Sequence, residues 1–185
     1  MDNVLTLPNV ITIFRIFLVL PVVLSLIDRK FEIAAVLFIV AAVSDMLDGF
    51  IARKFNKMTK VGAILDPLAD KLLLNYTFIV LATEKLLPQL LLAAVLLKDL
   101  ILISGSVVEV LSAKSIKDVK IKASISGKIA TFFQVLTVFL VFLNIFNIYF
   151  NKVVFNLIVY STIILSILSL IVYTHQYIER RRRQR

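Results

Sequence analysis

Four aspartates stand in two spaced pairs, Asp45 with Asp48 and Asp66 with Asp70. On α-helices advancing about 100° per residue, the first pair lies about 60° apart and the second about 40° apart, so each pair shares a face. Four carboxylates at close range cannot all stay ionised without a compensating cation. The chain has no Cys and a single His, which removes thiolate sites and leaves a zinc centre or a histidine triad without its groups. Hard oxygen donors point instead to Mg2+ or Mn2+, ions that combine a few carboxylates with the phosphate oxygens of a substrate. The chemistry predicted is therefore phosphate chemistry. Gly49, beside Asp48, and Gly62, one turn before Asp66, lack side chains where a ligand or another helix approaches, and Ala52 keeps the same face open; helix packing alone accounts for the glycines equally well.

The elements that carry these residues read as membrane helices. Of 185 residues, 60% are hydrophobic and only 18% charged, with a mean hydropathy of +0.96. That is more apolar surface than an ordinary soluble domain can cover. Apolar runs near 12–28, 33–52, 62–82, 88–110, 127–146 and 153–175 each have about the 20 residues needed to cross a bilayer. The fold class predicted is all-α: a polytopic bundle of six transmembrane helices in one domain, 1–185, with residues 1–10 as a short interfacial arm, 176–185 as a basic tail, and a polar cavity facing the cytoplasm. Arg53, Lys54, Lys57 and Lys60 fall in the second loop; Lys114, Lys117, Lys120 and Lys122 in the fourth, with Lys128 just beyond; and Arg180, Arg181, Arg182, Arg183 and Arg185 in the tail. The alternate loops hold only Arg29, Lys30, Lys85 and Lys152. Positive residues stay inside, so both termini are expected to be cytoplasmic. An arginine run directly after a span is read as a lipid anchor rather than a nucleic-acid site. A transporter or proton pathway is disfavoured, because the aspartates sit toward the cytoplasmic ends and no internal repeat is visible.

The segment Asp45-Met-Leu-Asp48-Gly49-Phe-Ile-Ala52-Arg53, eight residues, then Gly62-Ala-Ile-Leu-Asp66-Pro-Leu-Ala-Asp70 matches D-x-x-D-G-x-x-A-R-x8-G-x3-D-x3-D at every specified position. It resembles the CDP-alcohol phosphatidyltransferases. Weaker similarity extends through Asn9-x-x-Thr12-x-x-Arg15 and Gly127-Lys128-x-x-Thr131-x-x-Gln134. The resemblance implies a membrane enzyme that moves a phosphatidyl group from CDP-diacylglycerol to an alcohol and releases CMP. By the same resemblance, Asp45, Asp48, Asp66 and Asp70 would hold two ions of Mg2+ or Mn2+, and Asp70 would also act as the catalytic base. Asp48, Gly49, Ala52, Arg53 and Gly62 would line the CDP pocket. A homodimer and a prokaryotic cytoplasmic membrane are also implied.

The remaining polar residues then find places. Asn9, Thr12 and Arg15 step by about 60° around a helix and are read as a polar stripe toward the nucleotide, in preference to Arg15 snorkelling to the interface. Lys128 is read as binding the acceptor's phosphate, with Thr131 beside it in the pattern; Lys120 and Lys122 lie nearby and serve equally as anchors. Lys71 follows Asp70 about 100° off its face, and its role is open. Lys98-Asp99, within the fourth span, is read either as an internal ion pair or as part of the acceptor pocket. His175 reads as interfacial, with Tyr173 and Tyr177 in an aromatic belt. Family members that use glycerol 3-phosphate share the patterns around Asn9 and Gly127, which makes that the first acceptor expected. Those using phosphatidylglycerol carry a basic residue followed by Asp, as Lys98-Asp99 does, which makes that lipid the alternative.

Overall fold

The computed structural model describes residues 7–55, 60–112, 125–148 and 151–183, and among them every regular element is a helix. In chain order these are α1 (Leu7–Ile27), α2 (Phe31–Phe55), α3 (Lys60–Thr83), α4 (Gln89–Ser112), α5 (Ile125–Ile145) and α6 (Lys152–Arg183). Each of the six apolar runs became one helix. Two ends differ from the expectation. Helix α1 begins at Leu7, inside the segment read as an arm; Pro8 sits in its first turn, where the missing N–H has no helical partner to lose. Helix α6 does not stop near residue 175 but continues to Arg183, since no Gly or Pro interrupts a run of Arg, Glu and Gln with good helix propensity.

The turns after α1, α3 and α5 are closed by local chemistry. Arg29, Lys85 and Asn147 adopt φ of 58°, 59° and 54°, the left-handed conformation that ends helices. After α1, Arg29 N–H donates to the Leu26 carbonyl at 3.1 Å and Lys30 N–H to Ser25 at 2.8 Å; after α5, Asn147 N–H donates to Asn144 at 3.2 Å and Ile148 N–H to Leu143 at 3.0 Å. These paired bonds are Schellman motifs, built here without glycine. Asn151 then caps α6, its Oδ1 accepting from Val153 N–H at 2.9 Å. Gln89 Nε2 donates to the Ala82 carbonyl at 3.0 Å, satisfying one of the last acceptors of α3 from the start of α4.

The chain divides into two compact units, Met1–Leu81 with Glu109–Val119, and Ala82–Val108 with Lys120–Arg185. In the first, α1 packs on α2. Val19, Val22 and Leu26 of α1 and Ala34, Phe38 and Ala41 of α2 are buried, whereas Phe17, Leu20 and Leu24 of α1 and Ile33, Val36, Ile39 and Val43 of α2 are exposed. Small residues on the packed side of α2 allow the backbones to approach. In the second unit α5 packs on α6, and polar side chains tie them: the hydroxyls of Thr137 and Thr162 lie 2.9 Å apart, so that one donates to the other, and each is also 2.8 Å from a carbonyl of its own helix, Phe133 and Ile158, to which the accepting hydroxyl donates.

Among the described residues, two helical stretches are long and apolar enough to cross a membrane, Ile125–Ile145 with a mean hydropathy of 1.9 and Lys152–Gln176 with 2.3; Ile16–Ile27, Phe31–Ser44 and Lys71–Thr83 are shorter apolar helical stretches.

Candidate active site

Both aspartate pairs lie on helices, Asp45 and Asp48 in α2 and Asp66 and Asp70 in α3. Counted from the short connection at 56–59, Asp48 is seven residues before the end of α2 and Asp66 six residues after the start of α3. At about 1.5 Å per residue, each pair therefore occupies the stretch from roughly 9 to 15 Å along its own helix. Their angular rows are those that the rest of each helix buries. On α2, positions 45, 48 and 52 continue the row of Ala34, Phe38 and Ala41, within about 40°, and those three are buried. On α3, positions 66 and 70 continue into Leu73 and Thr77 within about 60°, both of which are buried. In each helix the carboxylate positions thus extend the packed row rather than the apolar outer face, the register expected of an internal polar site.

The side chains of Asn9, Thr12, Arg15, Asp45, Asp48, Gly49, Ala52, Arg53, Gly62, Asp66 and Asp70 lie outside the described residues, as do Lys120 and Lys122 entirely. Asn9, Thr12 and Arg15 belong to the first three turns of α1. Lys71 is buried, at 7% exposure. Among the described side chains, no group of three His, Cys, Asp or Glu residues could hold a metal ion. Thr77, in register with Asp66 and Asp70, is fully buried and its hydroxyl has no hydrogen-bond partner.

The residues expected near the acceptor belong to the second unit. Lys128 is exposed and Thr131 half-buried on α5, with Gly127 between them and the start of the helix. A Cβ on Gly127 would lie 3.6 Å from Ser169 Oγ of α6, an ordinary contact. Lys98 and Asp99 form the internal ion pair, Nζ to Oδ1 2.9 Å, with side-chain exposures of 1% and 0%. The Lys98 ammonium also donates to Gln134 Oε1 at 3.1 Å. Gln134 carries no assigned function in the sequence reading, and its tie to Lys98 joins residues 36 apart.

Further along the same row of α4, Gly105 meets Tyr173 of α6: a Cβ there would collide with the phenol hydroxyl and stand 3.0 Å from the ring. Tyr173 thus packs against α4 within the unit, whereas His175 is exposed. On α6 the polar residues Thr162, Ser166 and Ser169 are all buried, and with Tyr173 they make a stripe at helical spacing that points inward. That stripe is a signal of polar residues at intervals of three and four inside an apolar span.

Comparison with known proteins agrees with the motif. Residues 5–174 match the family model of the CDP-alcohol phosphatidyltransferases. The CDP-diacylglycerol–glycerol-3-phosphate 3-phosphatidyltransferase of Aquifex aeolicus is 32% identical over 176 residues, covering 92% of this chain and 94% of that protein. A protein of the same description from Rickettsia typhi is 44% identical over 79 residues, 40% of this chain and 44% of its own length. Human cardiolipin synthase (CMP-forming) is 36% identical over 105 residues, 56% of this chain and 35% of that protein. The family model covers both compact units and reaches into every helix, and the chain belongs to the CDP-alcohol phosphatidyltransferase family.

Proposed function

We propose that this enzyme transfers the phosphatidyl group of CDP-diacylglycerol to glycerol 3-phosphate, giving phosphatidylglycerophosphate and CMP. The observation that carries this reading is the near end-to-end similarity to the Aquifex aeolicus enzyme, which covers 94% of that protein, set beside the partial matches to the cardiolipin synthases. Both share the motif, so the motif alone does not select the acceptor; the extent of the match favours the glycerophosphate enzymes.

In this reading all six helices span the cytoplasmic membrane of a prokaryote as one enzyme, with both termini in the cytoplasm and the aspartate rows lining a cavity open to that side. The basic residues at 53–60, 114–128 and 180–185 support that orientation. A purely oxygen donor set of four carboxylates in packed rows fits Mg2+ or Mn2+. Asp45, Asp48, Asp66 and Asp70 would hold two ions, whose chemistry is to neutralise the pyrophosphate and orient the attacked phosphorus. Asn9, Thr12 and Arg15, with Gly49, Ala52, Arg53 and Gly62, would hold the CDP moiety while the acyl tails remain in lipid. Asp70 takes the proton from the acceptor hydroxyl as its oxygen attacks the lipid-bearing phosphorus. The bond from that phosphorus to the bridging oxygen breaks, and CMP leaves with the electron pair. Lys128 and Thr131, with Lys120 and Lys122, would bind the acceptor's phosphate; an exposed lysine at the start of α5 suits a soluble, doubly charged substrate. The enzyme is taken to act as a homodimer, as its family resemblance implies.

The test is product identity. Purified enzyme in mixed micelles with CDP-diacylglycerol and Mg2+ is offered glycerol 3-phosphate or phosphatidylglycerol, and the lipid formed is read by mass spectrometry. Phosphatidylglycerophosphate supports the reading. Cardiolipin from phosphatidylglycerol, with no product from glycerol 3-phosphate, would replace it.

A further inference from the structure

A lysine and an aspartate buried inside an otherwise apolar helix are costly to keep, and the attraction between them offsets that cost only with good geometry and further bonds. At Lys98 an opposite charge and a further bond are both in place. Their ion pair is 2.9 Å long at 1% and 0% exposure, and the ammonium has a second partner across the unit, Gln134 Oε1 of α5, at 3.1 Å. Gln134 is itself fully buried, and its Nε2 has no hydrogen-bond partner. Its described hydrogen bond is therefore the one its carbonyl accepts from Lys98.

Three residues further along α5, Thr137 bonds Thr162 of α6 at 2.9 Å. Gln134 and Thr137 lie about 60° apart around α5, so one tie reaches α4 and the next reaches α6. Together they fix the rotation and the depth of α5. This is the helix that carries Thr131, about 60° and 4.5 Å from Gln134, and Lys128, about 120° and 9 Å from it. An exposed lysine cannot set its own position; the buried ties behind it do.

We infer that Asp99, Lys98 and Gln134 form a clasp that positions α5, and with it Lys128 and Thr131, for the acceptor. Lys98 is a positioning residue acting through Gln134 and does not itself hold the acceptor's phosphate. The inference rests on the reading of Lys128 and Thr131 as acceptor-binding. On this inference the pair serves the packing of α4 on α5, so its identity does not report the acceptor.

The experiment compares wild type with Lys98→Met, Lys98→Met/Asp99→Leu, Gln134→Met and Gln134→Glu, as full-length protein in mixed micelles. The KM values for glycerol 3-phosphate and CDP-diacylglycerol are read separately. Lys98→Met takes the ammonium away from both a buried carboxylate and Gln134, and the glycerol 3-phosphate KM is expected to rise about tenfold or more. Removing the carboxylate as well should lower that KM only to the level of Gln134→Met, because the buried charge is gone while the tie to Gln134 is still missing. No neighbouring substitution could restore a lysine that touches the acceptor. Gln134→Met should raise the glycerol 3-phosphate KM several-fold, leaving that for CDP-diacylglycerol unchanged, and Gln134→Glu, which keeps an acceptor for Lys98, should do less. A folded double variant as impaired as Lys98→Met would overturn the inference, as would Gln134→Met with both KM values unaltered. A second readout is independent of turnover. Spin labels on cysteines placed at the exposed positions Leu97 of α4 and Ile129 of α5 report the distance between the helices, and Gln134→Met should broaden its distribution. An unchanged distribution overturns the clasp even if the enzyme uses a different acceptor. A broadened one in a protein that ignores glycerol 3-phosphate would leave the clasp standing and remove the proposed function.

Discussion

Gly105 offers a substitution whose sign depends on its partner. In the interior of a helix, Gly→Ala normally stabilises by roughly 0.5–1 kcal/mol, since alanine loses less backbone entropy on folding. At Gly105 the new methyl would collide with the Tyr173 hydroxyl and stand 3.0 Å from two ring carbons. The aromatic ring is stiff, so relief requires α4 and α6 to separate by on the order of an ångström or Tyr173 to leave its rotamer. Overpacking of this kind costs about 1–3 kcal/mol, which outweighs the propensity gain and leaves a net loss of about 1 kcal/mol. For a chain of this size that corresponds to a fall of roughly 2–4 °C in Tm. In a Tyr173→Leu background the obstacle is gone, and the same Gly105→Ala change should stabilise by about 0.5–1 kcal/mol relative to that background. The assay is thermal unfolding in detergent followed by circular dichroism at 222 nm, since the chain has neither Trp nor Cys for fluorescence or thiol-dye methods. If alanine at 105 stabilises the wild-type background as much as the leucine background, the two side chains do not compete for the same space and the packing argument fails.

Other outcomes follow from the same geometry. Asp70→Asn should lower turnover by about 10²–10⁴-fold, the range for loss of a general base, and CMP formation by the variant measures it; near-normal turnover would move the base elsewhere. Lys128→Ala removes a charge-assisted contact worth about 1.5–3 kcal/mol, so the glycerol 3-phosphate KM should rise about tenfold or more while the CDP-diacylglycerol KM holds; equal rises in both would point to a general defect. Because the chain has no Cys, single cysteines at Lys57 and Lys85 give a clean orientation test. An impermeant maleimide added outside intact cells should label position 85 and spare 57, and the reverse pattern inverts the topology. Asn151→Ala should cost about 1 kcal/mol of stability through loss of the α6 cap, measured by the same unfolding assay, with no change in either KM.

The helices were legible because each is an apolar run of nearly uniform character, and their observed ends fall mostly within a few residues of where polarity rises. Local signals say least at the ends of the chain: a first-turn proline is compatible with a helix, so α1 begins at Leu7, within the segment expected as an arm, and nothing in the arginine-rich tail breaks α6. At the candidate site, the aspartate spacing alone places each pair in one row of its helix. The ion pair of Lys98 with Asp99 was likewise readable from adjacency within a span. Its partner Gln134 was not, because a contact between residues 36 apart depends on how α4 and α5 are rotated, which periodicity leaves free. The same holds for Thr137 with Thr162 and for Gly105 with Tyr173. Each residue fits its own helix without demanding that particular neighbour.

The central claim is that this enzyme couples CMP release to the formation of a phosphoryl bond on glycerol 3-phosphate. It is tested most directly by following both products in one reaction, with purified protein, CDP-diacylglycerol, labelled glycerol 3-phosphate and Mg2+. The expected result is label entering the lipid phase mole for mole with CMP, abolished by chelation, restored by added Mg2+ or Mn2+, and nearly absent in Asp70→Asn. CMP release that proceeds at the same rate without glycerol 3-phosphate, with no label in lipid, would contradict it.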